Sequence, residues 1–530
     1  MTGARKVPER RRPAAPWRGA LAGAVAAFAG LCVAEPVALL VRPEAAPIAA
    51  VGGAVVDRTP TAVKEWAVSS FGTADKAVLT LGVVAVLAAV AVGAGLLAVR
   101  RPRAGAALAG AVGGLGALLA LDRPGATGWD ALPSLAGGAV AAAVLLLLVG
   151  AAGRPAPEAG AGGAGGVDRR GFGRLVLATA AASAVVGLTG RRLGARRSAG
   201  ADASRARLAL PPPAVPAPPV PAGADLKVPG ATPFLTPNGD FYRVDTALVV
   251  PRVDADTWRL RVHGEGVDRP LTLSLAQLLA RPLTEHDITL TCVSNPVGGP
   301  YAGNARWLGV SLADLLREAG VRPPSRGGPA DQLVARSVDG MTIGTPVESV
   351  LDGRAALLAV GMNGEPLPFA HGFPVRMVVP GLYGYVSACK WLTDLRLTTF
   401  AAYDAYWVRR AWAERAPVRT QSRIDVPRPG ARPRPGPVTV AGVAWAQHRG
   451  IARVEVRVDG GPWQRARLGA ADGVDTWRQW RWEWEAGPGR HVLEVRAVDG
   501  RGEVQPARRR PPLPDGATGL HAVTVLVRSP

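Results

Sequence analysis

Two stretches of this 530-residue sequence place a cysteine, a histidine, an arginine and a lysine among turn-forming residues. Residues 289–312 read TLTCVSNPVGGPYAGNARWLGVSL, and residues 364–395 read GEPLPFAHGFPVRMVVPGLYGYVSACKWLTDL. Cys292 follows an apolar run typical of a buried strand and precedes a loop of glycine, asparagine and proline. A cysteine at such a strand end can approach a ligand closely, although an isolated buried cysteine is more often a packing residue. The two stretches predict a mixed α and β domain with a candidate site near Cys292.

The composition excludes several classes of protein. Hydrophobic residues make up 48% of the chain and charged residues 19%, which excludes a disordered or fibrous protein. Three cysteines are too few for a disulfide framework or a zinc site built from cysteines. The net charge is +21, but it is spread along the chain. We expect no nucleic-acid partner, because such binding needs a concentrated basic stripe with interleaved aromatic residues.

Residues 1–200 predict a membrane region with about five transmembrane helices. Surface helices of soluble proteins seldom stay apolar for a whole span, because one face must meet water. A fifth and shorter apolar segment covers residues 175–190. The other four each come close to the ~20 residues that cross ~30 Å of hydrocarbon; they are residues 20–41, 77–99, 104–121 and 132–150.

Two features of these segments have alternative interpretations. Arg169 and Arg170 precede a glycine, a phenylalanine and a mildly hydrophobic stretch. This pattern resembles a twin-arginine export signal; the alternative is an ordinary arginine pair beside a membrane helix. Glu35 is the one charged residue of the first segment and is followed by Pro36. It is either a functional carboxylate within the membrane or a residue near the interface at a proline kink.

The distribution of basic residues predicts the orientation. Residues 4–18 contain six lysines and arginines against one glutamate, so the N-terminus should remain cytoplasmic. Five crossings then place everything after Gly190 outside, with the catalytic domain on the extracytoplasmic side of the cell membrane. Four arginines are inconsistent with this assignment, because they would lie outside, where basic residues are less common. They are Arg191, Arg192, Arg196 and Arg197.

The spans lack the side chains that ligate haem. No histidine precedes His263, and no methionine lies between Met1 and Met341. Because membrane haem needs axial histidine or methionine ligands, we expect no haem. The spans are therefore expected to act as an anchor or as a dock for another subunit.

Beyond the membrane region, composition marks two further boundaries. Residues 201–226 contain a proline-rich run, LPPPAVPAPPVPAGADL, which predicts an extended and semi-rigid linker. Past residue 436 the pattern becomes all-β, as in IARVEVRVDGGPW, where valines alternate with charged residues before a turn. Residues 436–530 therefore predict a β-sandwich whose expected role is packing.

Many short motifs together resemble the molybdopterin domain of the sulfite oxidase-like oxidoreductases. They are CVSN, ARWLGV, MNGEPLP, HGFPVR, VVPG, KWL and VDGG. The resemblance runs from about Asn238 to the C-terminus. It implies an α+β molybdopterin domain over residues 227–430 and an immunoglobulin-like (Ig-like) β-sandwich dimerisation domain over residues 436–530. With transmembrane helices at the N-terminus, the multi-domain layout resembles membrane-anchored bacterial members.

The same resemblance implies a set of site residues. Cys292 would be the thiolate ligand of a molybdenum ion that is chelated by the dithiolene of molybdopterin, since soft sulfur donors suit this metal. His371 and Arg376 fall on cofactor-binding positions, and arginine offers a planar fork for phosphate. The other implied cofactor-binding residues are Asn238, Phe241, Tyr242, Thr345, Ser387, Ala388 and Lys390. Backbone amides of residues 387–390 would complete the anion site, whereas Cys389 is interpreted as a small buried residue.

The sequence departs from the sulfite-oxidising members at two positions. Met341 stands where those enzymes carry an active-site tyrosine. Their substrate-binding arginine corresponds here to Arg243 or to Asp245, depending on where a gap is placed. Because a site for the sulfite dianion should present cations, sulfite is one candidate substrate among others.

The resemblance implies a membrane-anchored oxidoreductase that performs a two-electron oxygen-atom transfer on a small substrate. Electrons would pass through a separate partner, since no second redox centre is encoded, and the β-sandwich favours a homodimer. One alternative is a reductase of sulfoxides or other S- or N-oxides. Another is a metal-free, membrane-tethered binding module. A cysteine hydrolase that uses Cys292 and His371 is disfavoured, because it lacks a recognisable orienting partner.

Overall fold

The computed structural model describes residues 15–60, 63, 71, 75–152 and 169–529. The chain divides into two compact units. The first comprises Met1–Ala199 with Thr246–Val249, and the second comprises Gly200–Asp245 with Val250–Pro530. Most of the basic N-terminal segment that predicts the orientation, residues 4–14, lies outside the described residues.

The described part of the first 207 residues is helical. Five of its helices are long and apolar enough to cross a membrane, as predicted by length and composition. The fifth is longer than the apolar segment inside it, because polar residues continue the helix at both ends. A shorter helix of 12 residues was not predicted. The six helices are α1 (Pro16–Val41), α2 (Pro47–Arg58), α3 (Asp75–Arg100), α4 (Pro102–Leu121), α5 (Leu132–Ala152) and α6 (Arg169–Arg207).

Glycines set the packing of α1 against two of its neighbours. A Cβ atom built on Gly95 of α3 would lie 2.0 Å from the carbonyl oxygen of Gly19, and one on Gly30 would lie 2.5 Å from that of Gly137 in α5. Close backbone contact of this kind is how helices associate where lipid removes the hydrophobic driving force. Glu35 is exposed on α1.

The second unit begins with a mixed α and β region, as the sequence predicts. One five-stranded sheet has the order β2-β1-β10-β5-β6, and the other has the order β3-β4-β7-β8 with β9 beside β7. The strands are β1 (Arg259–Gly264), β2 (Leu271–Ser274), β3 (Leu283–Thr291), β4 (Ala302–Ser311), β5 (Gln332–Ser337), β6 (Thr342–Pro346), β7 (Leu357–Met362), β8 (Glu365–Pro366), β9 (Arg376–Val378) and β10 (Leu392–Thr398). The short helices are α7 (Leu275–Leu279), α8 (Leu312–Glu318), α9 (Val347–Leu351) and α10 (Gly384–Ser387).

Two antiparallel four-stranded sheets complete the unit. Their orders are β11-β12-β16-β15 and β14-β13-β17-β18, and both contribute to one core that contains Val440, Trp480, Val456 and Val495. The strands are β11 (Gln421–Val426), β12 (Gly436–Trp445), β13 (Ile451–Val458), β14 (Gln464–Arg465), β15 (Arg467–Leu468), β16 (Arg478–Ala486), β17 (Gly489–Asp499) and β18 (His521–Val527). The predicted start at residue 436 is too late, because β11 already pairs with β12.

The proline-rich segment is not a free spacer. The amides of Ala214 and Val215 donate to the carbonyl of Leu283 at 2.8 and 3.2 Å, and the amide of Glu285 donates to the carbonyl of Val215 at 2.9 Å. The segment therefore lies along the edge of β3. Proline is tolerated at a sheet edge, and an edge strand has unpaired backbone groups that need partners.

An ion pair next to this edge holds the segment in place. Arg306 on β4 donates from Nε and Nη2 to the carboxylate of Asp287 at 2.9 and 2.7 Å. The same Nη2 donates to the carbonyl of Pro218 at 2.8 Å. The Asp287 side chain is only 3% exposed, so this pair is much less screened by solvent than a surface pair.

We expect Asp287→Ala to loosen the segment. Losing the charge-assisted bonds that orient Arg306 should weaken the local structure by about 2 kcal/mol, which corresponds to about 30-fold faster hydrogen exchange of the Ala214 and Val215 amides. Hydrogen exchange followed by mass spectrometry measures this. Asp256→Ala is the control, because it removes an exposed partner of Arg207. Equal exchange rates of the Ala214 and Val215 amides in the two variants would contradict the role of Asp287 in anchoring the proline-rich segment.

Candidate functional site

Cys292 lies at the first position after β3, and the following loop fixes its backbone. Its amide donates to the carbonyl of Tyr301 at 2.9 Å, and its carbonyl accepts from the amide of Asn295 at 3.1 Å. The Asn295 side chain accepts from the amide of Tyr301 at 2.9 Å. Cys292 is 8% exposed. The loop thus closes back on β4 and holds the thiol in one place.

Neighbouring groups shift the pKa of this thiol in opposite directions. Burial raises the pKa of Cys292, whereas hydrogen bonds from Ser294 and the charge of Lys390 act in the opposite direction. Burial alone would keep the sulfur protonated, because it penalises the charged form. A cation near the thiol favours the thiolate, which is the form that ligates metals.

The C-terminal sheets support the same loop. Arg423 on β11 donates from Nη1 to the carbonyl of Gly299 at 2.9 Å. Gly298 has a φ of +76°, and a Cβ atom there would lie 2.0 Å from the ring of His521 on β18. Glycine is therefore required at this close approach between the loop and the sandwich.

Arg376 is buried with incomplete hydrogen bonding. The residue is 5% exposed, and its Nη1 donates to the carbonyl of His371 at 3.2 Å. The guanidinium carbon lies 4.9 Å from the centre of the Trp307 ring. Among the described residues, its Nε has no hydrogen-bond partner. Burial lowers the pKa of Arg376 to about 10, so this side chain remains a cation at neutral pH.

Gly372 brings a second cation next to Arg376. It has a φ of +107°, and a Cβ atom there would lie 3.0 Å from the Cα of Lys390 and 3.1 Å from the Cβ of Arg376. The Nζ of Lys390 donates to the carboxylate of Asp245 at 2.9 Å. Burial lowers the pKa of Lys390 to about 8, although Asp245 opposes this shift.

Two residues of the predicted entry loop contact His371, and a third stacks on one of them. The carbonyl oxygen of Asn238 lies 3.0 Å from the Nε2 of His371. The Phe241 ring packs edge-to-face on His371 at 5.5 Å and stacks on Tyr242 at 5.2 Å. Burial, followed by the charge of Arg376, lowers the pKa of His371 to about 4, so its ring is neutral.

Tyr242 connects this loop to Cys292. Burial raises the pKa of its phenol well above the usual value, with a further contribution from Cys292 and an opposing one from Arg376. Its hydroxyl is therefore protonated and lies within electrostatic range of both residues. The structure thus brings together Asn238, Phe241, Tyr242, Cys292, His371, Arg376 and Lys390.

The polar groups of the remaining predicted site residues donate hydrogen bonds to backbone carbonyls of the protein. Thr345 donates its hydroxyl to the carbonyl of Val386. Ser387 donates to the carbonyls of Leu382 and Tyr383, each at 3.0 Å. The amide of Ala388, expected at the anion site, donates to the carbonyl of Gly384 at 3.0 Å. These three residues shape the turn around α10.

The positions at which the sequence departs from the family are also resolved. Asp245 accepts from the Nε of Arg243 at 2.8 Å as well as from Lys390, and its side chain is 2% exposed. Arg243 is the more accessible partner, with a third of its side chain exposed. Met341 is half-buried against the hydrophobic core. Cys389 is fully buried, as predicted.

Sequence reasoning missed two aromatic residues of this region. Trp307 is fully buried beneath Arg376 and donates from Nε1 to the carbonyl of Ile288 at 3.1 Å. Tyr383 precedes α10, and burial raises its pKa to about 12, with Cys292 among the contributing charges. Both belong to stretches quoted above, but a single sequence contains no signal that separates a site aromatic from a packing aromatic.

The residues present fit a molybdopterin cofactor. The group requires a soft thiolate for its metal and fixed donors for its phosphate and its polar ring edges. The buried thiol of Cys292, within electrostatic range of the buried cation Lys390, meets the first requirement. The unpartnered Nε of Arg376 meets the second, because an unpaired buried charged donor costs about 1–3 kcal/mol or more, and an anion would satisfy it.

The chain is similar in sequence to known molybdopterin-dependent oxidoreductases. The family model described as oxidoreductase molybdopterin binding domain matches residues 247–407. Chicken sulfite oxidase is 37% identical over 322 residues, covering 52% of this chain and 68% of the chicken protein. Human mitochondrial sulfite oxidase is 33% identical over 322 residues, covering 52% of this chain and 57% of the human protein.

Among solved structures, the sulfane dehydrogenase SoxCD from Paracoccus pantotrophus is similar at 26% identity and a TM-score of 0.48. This match covers 55% of the present chain and 81% of that one. The sequence identity to sulfite oxidase confirms the predicted resemblance. The chain therefore belongs to the sulfite oxidase-like family of molybdopterin-dependent oxidoreductases.

Proposed function

We propose that this chain is a membrane-anchored molybdenum oxidoreductase that transfers an oxygen atom to or from a small sulfur-containing substrate. The observation that carries the proposal is the buried Arg376, whose Nε has no hydrogen-bond partner among the described residues. Tyr242 and Lys390 lie within electrostatic range of Arg376, and Lys390 lies within electrostatic range of Cys292. The bound molybdenum would supply the two-electron redox chemistry. The protein would supply one ligand, positioning and electrostatics.

Each group of the cluster has a defined role in this proposal. Cys292 would ligate the metal. Arg376 and Lys390 would hold the anionic part of the cofactor, while neutral His371 would hydrogen-bond a polar ring edge. Asn238, Phe241 and Tyr242 would line the pterin, and the protonated phenol of Tyr242 can donate a hydrogen bond. The turn shaped by Thr345, Ser387 and Ala388 would keep Lys390 in place.

The charge balance of the site supports an anionic substrate such as sulfite. Arg243, Arg376 and Lys390 are cationic, and Asp245 is the carboxylate that pairs with two of them. Arg243 is the most exposed of the three cations, and it is therefore the one most accessible to a substrate. An excess of positive charge raises the local concentration of anions.

Met341 favours a second candidate, the reduction of a sulfoxide or another S- or N-oxide. A thioether cannot donate a hydrogen bond or a proton, unlike the tyrosine that occupies this position in the sulfite-oxidising members. A neutral oxide substrate needs less cationic charge and tolerates an apolar neighbour. The two candidates differ in the direction of oxygen transfer.

Electron transfer would involve a separate partner, and we propose that no haem is held by the chain. The sequence places no histidine before His263, so the N-terminal helices offer none as an axial ligand. The two four-stranded sheets would form an Ig-like dimerisation domain. The N-terminal helices would anchor the chain in the cell membrane, with the catalytic unit outside and Arg169-Arg170 acting as an export signal.

The primary test is metal content and turnover of the full chain purified in detergent. We expect about one molybdenum per chain and sulfite-dependent electron transfer to an artificial acceptor. Cys292→Ser should abolish turnover and retain pterin, because the contacts to Arg376 and Lys390 persist. Cys389→Ala removes another buried thiol of the same unit and should remain active.

Two results would contradict parts of this proposal. A metal-free preparation from cells that make the cofactor would favour the binding module. Full activity of Cys292→Ser would exclude the metal-ligand role. Sulfoxide reduction with reduced dye, in the absence of sulfite oxidation, would select the second candidate.

A further prediction concerns Arg376→Met. Losing charge-assisted contacts of about 1.5–3 kcal/mol should weaken cofactor retention about 10- to 150-fold. Pterin fluorescence after denaturation measures occupancy, and circular dichroism reports on the fold. Arg478→Met is the control, because Arg478 is a half-buried arginine that donates to the carbonyls of Gly469 and Ile451 in the sandwich. Undiminished occupancy in Arg376→Met would mean that the anion is bound elsewhere.

The orientation predicts the outcome of protease treatment of intact spheroplasts. Residues beyond 210 should be digested from outside in the unmodified chain, because five crossings follow a cytoplasmic N-terminus. Replacing both Arg169 and Arg170 with lysine should leave the residues beyond 210 protected from the protease, because a twin-arginine signal requires the arginine pair. Protection of these residues in the unmodified chain would contradict the proposed orientation and would place the catalytic unit on the cytoplasmic side.

A further inference from the structure

A side chain of the C-terminal sandwich reaches the end of β3, beside the candidate metal ligand. Gln447 lies two residues after β12 and is 1% exposed. Its Nε2 donates to the carbonyl of Thr289 at 3.0 Å and to the hydroxyl oxygen of Thr291 at 2.9 Å. Thr291 directly precedes Cys292. The Nε2 of Gln447 therefore holds both a backbone carbonyl and a side chain within the last three residues of β3, immediately before the thiol.

A second loop of the sandwich holds the same strand end. The amide of Thr289 donates to the carbonyl of Asp475 at 2.9 Å, and the hydroxyl of Thr289 accepts from the amide of Trp477 at 2.8 Å. The same hydroxyl donates to the side-chain oxygen of Asn304 on β4 at 2.9 Å. Hydrogen bonds from two different loops of the sandwich therefore converge on a three-residue segment of β3.

The oxygen of the Gln447 side-chain amide lies in an unfavourable environment. Its Oε1 is buried and has no hydrogen-bond partner among the described residues. An apolar side chain of similar volume would avoid the loss of solvation at that oxygen. The stabilising part of the interaction is thus the pair of bonds made by Nε2.

We propose that Gln447 is a positioning residue for the metal site. It holds the carbonyl of Thr289 and the hydroxyl of Thr291, and thereby sets the direction in which Cys292 presents its sulfur. This inference rests on the proposed role of Cys292 as metal ligand. It assigns the C-terminal sandwich a function at the redox centre in addition to packing and dimerisation.

The physical reason is the directionality of the bond between a thiolate and a metal. Electronic coupling along that bond depends on the torsion angles of the cysteine, and these follow from the backbone on either side of it. The loop after Cys292 is fixed by Asn295 and Tyr301. The residues before it are held by β4, by the Asp475–Trp477 loop and by Gln447. Of these side-chain contacts, only that of Gln447 reaches Thr291, so loss of Gln447 loosens the side of the thiol that precedes it.

The test compares Gln447→Met with Gln505→Met in the full-length chain. Methionine keeps the length of the side chain and removes the amide. Gln505 is the matched control: it is 2% exposed, lies in the same sandwich, donates to the carbonyl of Gly519 at 2.8 Å and accepts from the hydroxyl of Ser422 at 2.7 Å. Its hydrogen bonds are all made within that sandwich and none is to β3.

Two readouts report on the direction of the sulfur rather than on general stability. In metal-loaded protein, the EPR spectrum of the Mo(V) form should shift or broaden in Gln447→Met at unchanged molybdenum content, and remain unchanged in Gln505→Met. In cofactor-free protein, alkylation of Cys292 should accelerate about tenfold in Gln447→Met only, because two hydrogen bonds that hold the strand end are lost. Peptide mass spectrometry separates Cys292 from the fully buried Cys389.

A milder variant covers the case in which Gln447→Met does not fold. Thr291→Val removes one of the two acceptors at nearly constant volume and should accelerate alkylation about threefold. Wild-type spectra and alkylation rates in folded Gln447→Met or Thr291→Val would overturn the inference, as would equal changes in Gln505→Met. Absence of molybdenum from the unmodified chain would instead overturn the proposed function, and the alkylation rates would still decide whether Gln447 holds Cys292.

Discussion

The structure of the candidate site depends on the burial of two cations in one small volume. Arg376 and Lys390 come from different segments and meet across Gly372, where a side chain would clash with both. Buried charges are stable only when they are paired. Asp245 pairs with Lys390, while Arg376 has one carbonyl and one aromatic face as partners. An anionic ligand would complete this balance, and this supports the proposed role of Arg376 and Lys390 in holding a cofactor.

The neighbouring residues follow from that constraint. Burial, followed by the charge of Arg376, lowers the pKa of His371 and keeps its ring neutral. A neutral ring can accept or donate a hydrogen bond according to its tautomer. Tyr242 stays protonated because it is buried near a thiol. The thiol itself lies at a strand end that is held by residues from β4, from its own loop and from the C-terminal sandwich. The site is therefore built by the second unit as a whole, and no short segment contains it.

Several sequence predictions correspond to what the structure contains, and the mismatches have physical causes. The apolar segments of the N-terminal region become long helices, because hydrophobicity and length are local properties. The proline-rich segment was predicted as an extended, semi-rigid linker, and its pairing with β3 was not predicted, since a sequence pattern does not show which sheet edge lacks a partner. The amide of Ala388 was expected at the anion site, but α10 uses it for its own last turn.

The sequence by itself determined the family, the cysteine at a strand end, the buried nature of Cys389 and the presence of a β-rich C-terminal region. These properties reside in motifs and periodicities that are readable along the chain. Only the tertiary structure decided that Asp245 pairs with Lys390, that Trp307 lies beneath Arg376 and that Gln447 reaches the residue before Cys292. Each of these contacts joins residues that lie from about 70 to more than 150 positions apart, and such pairs are specified by the packing of sheets rather than by local pattern.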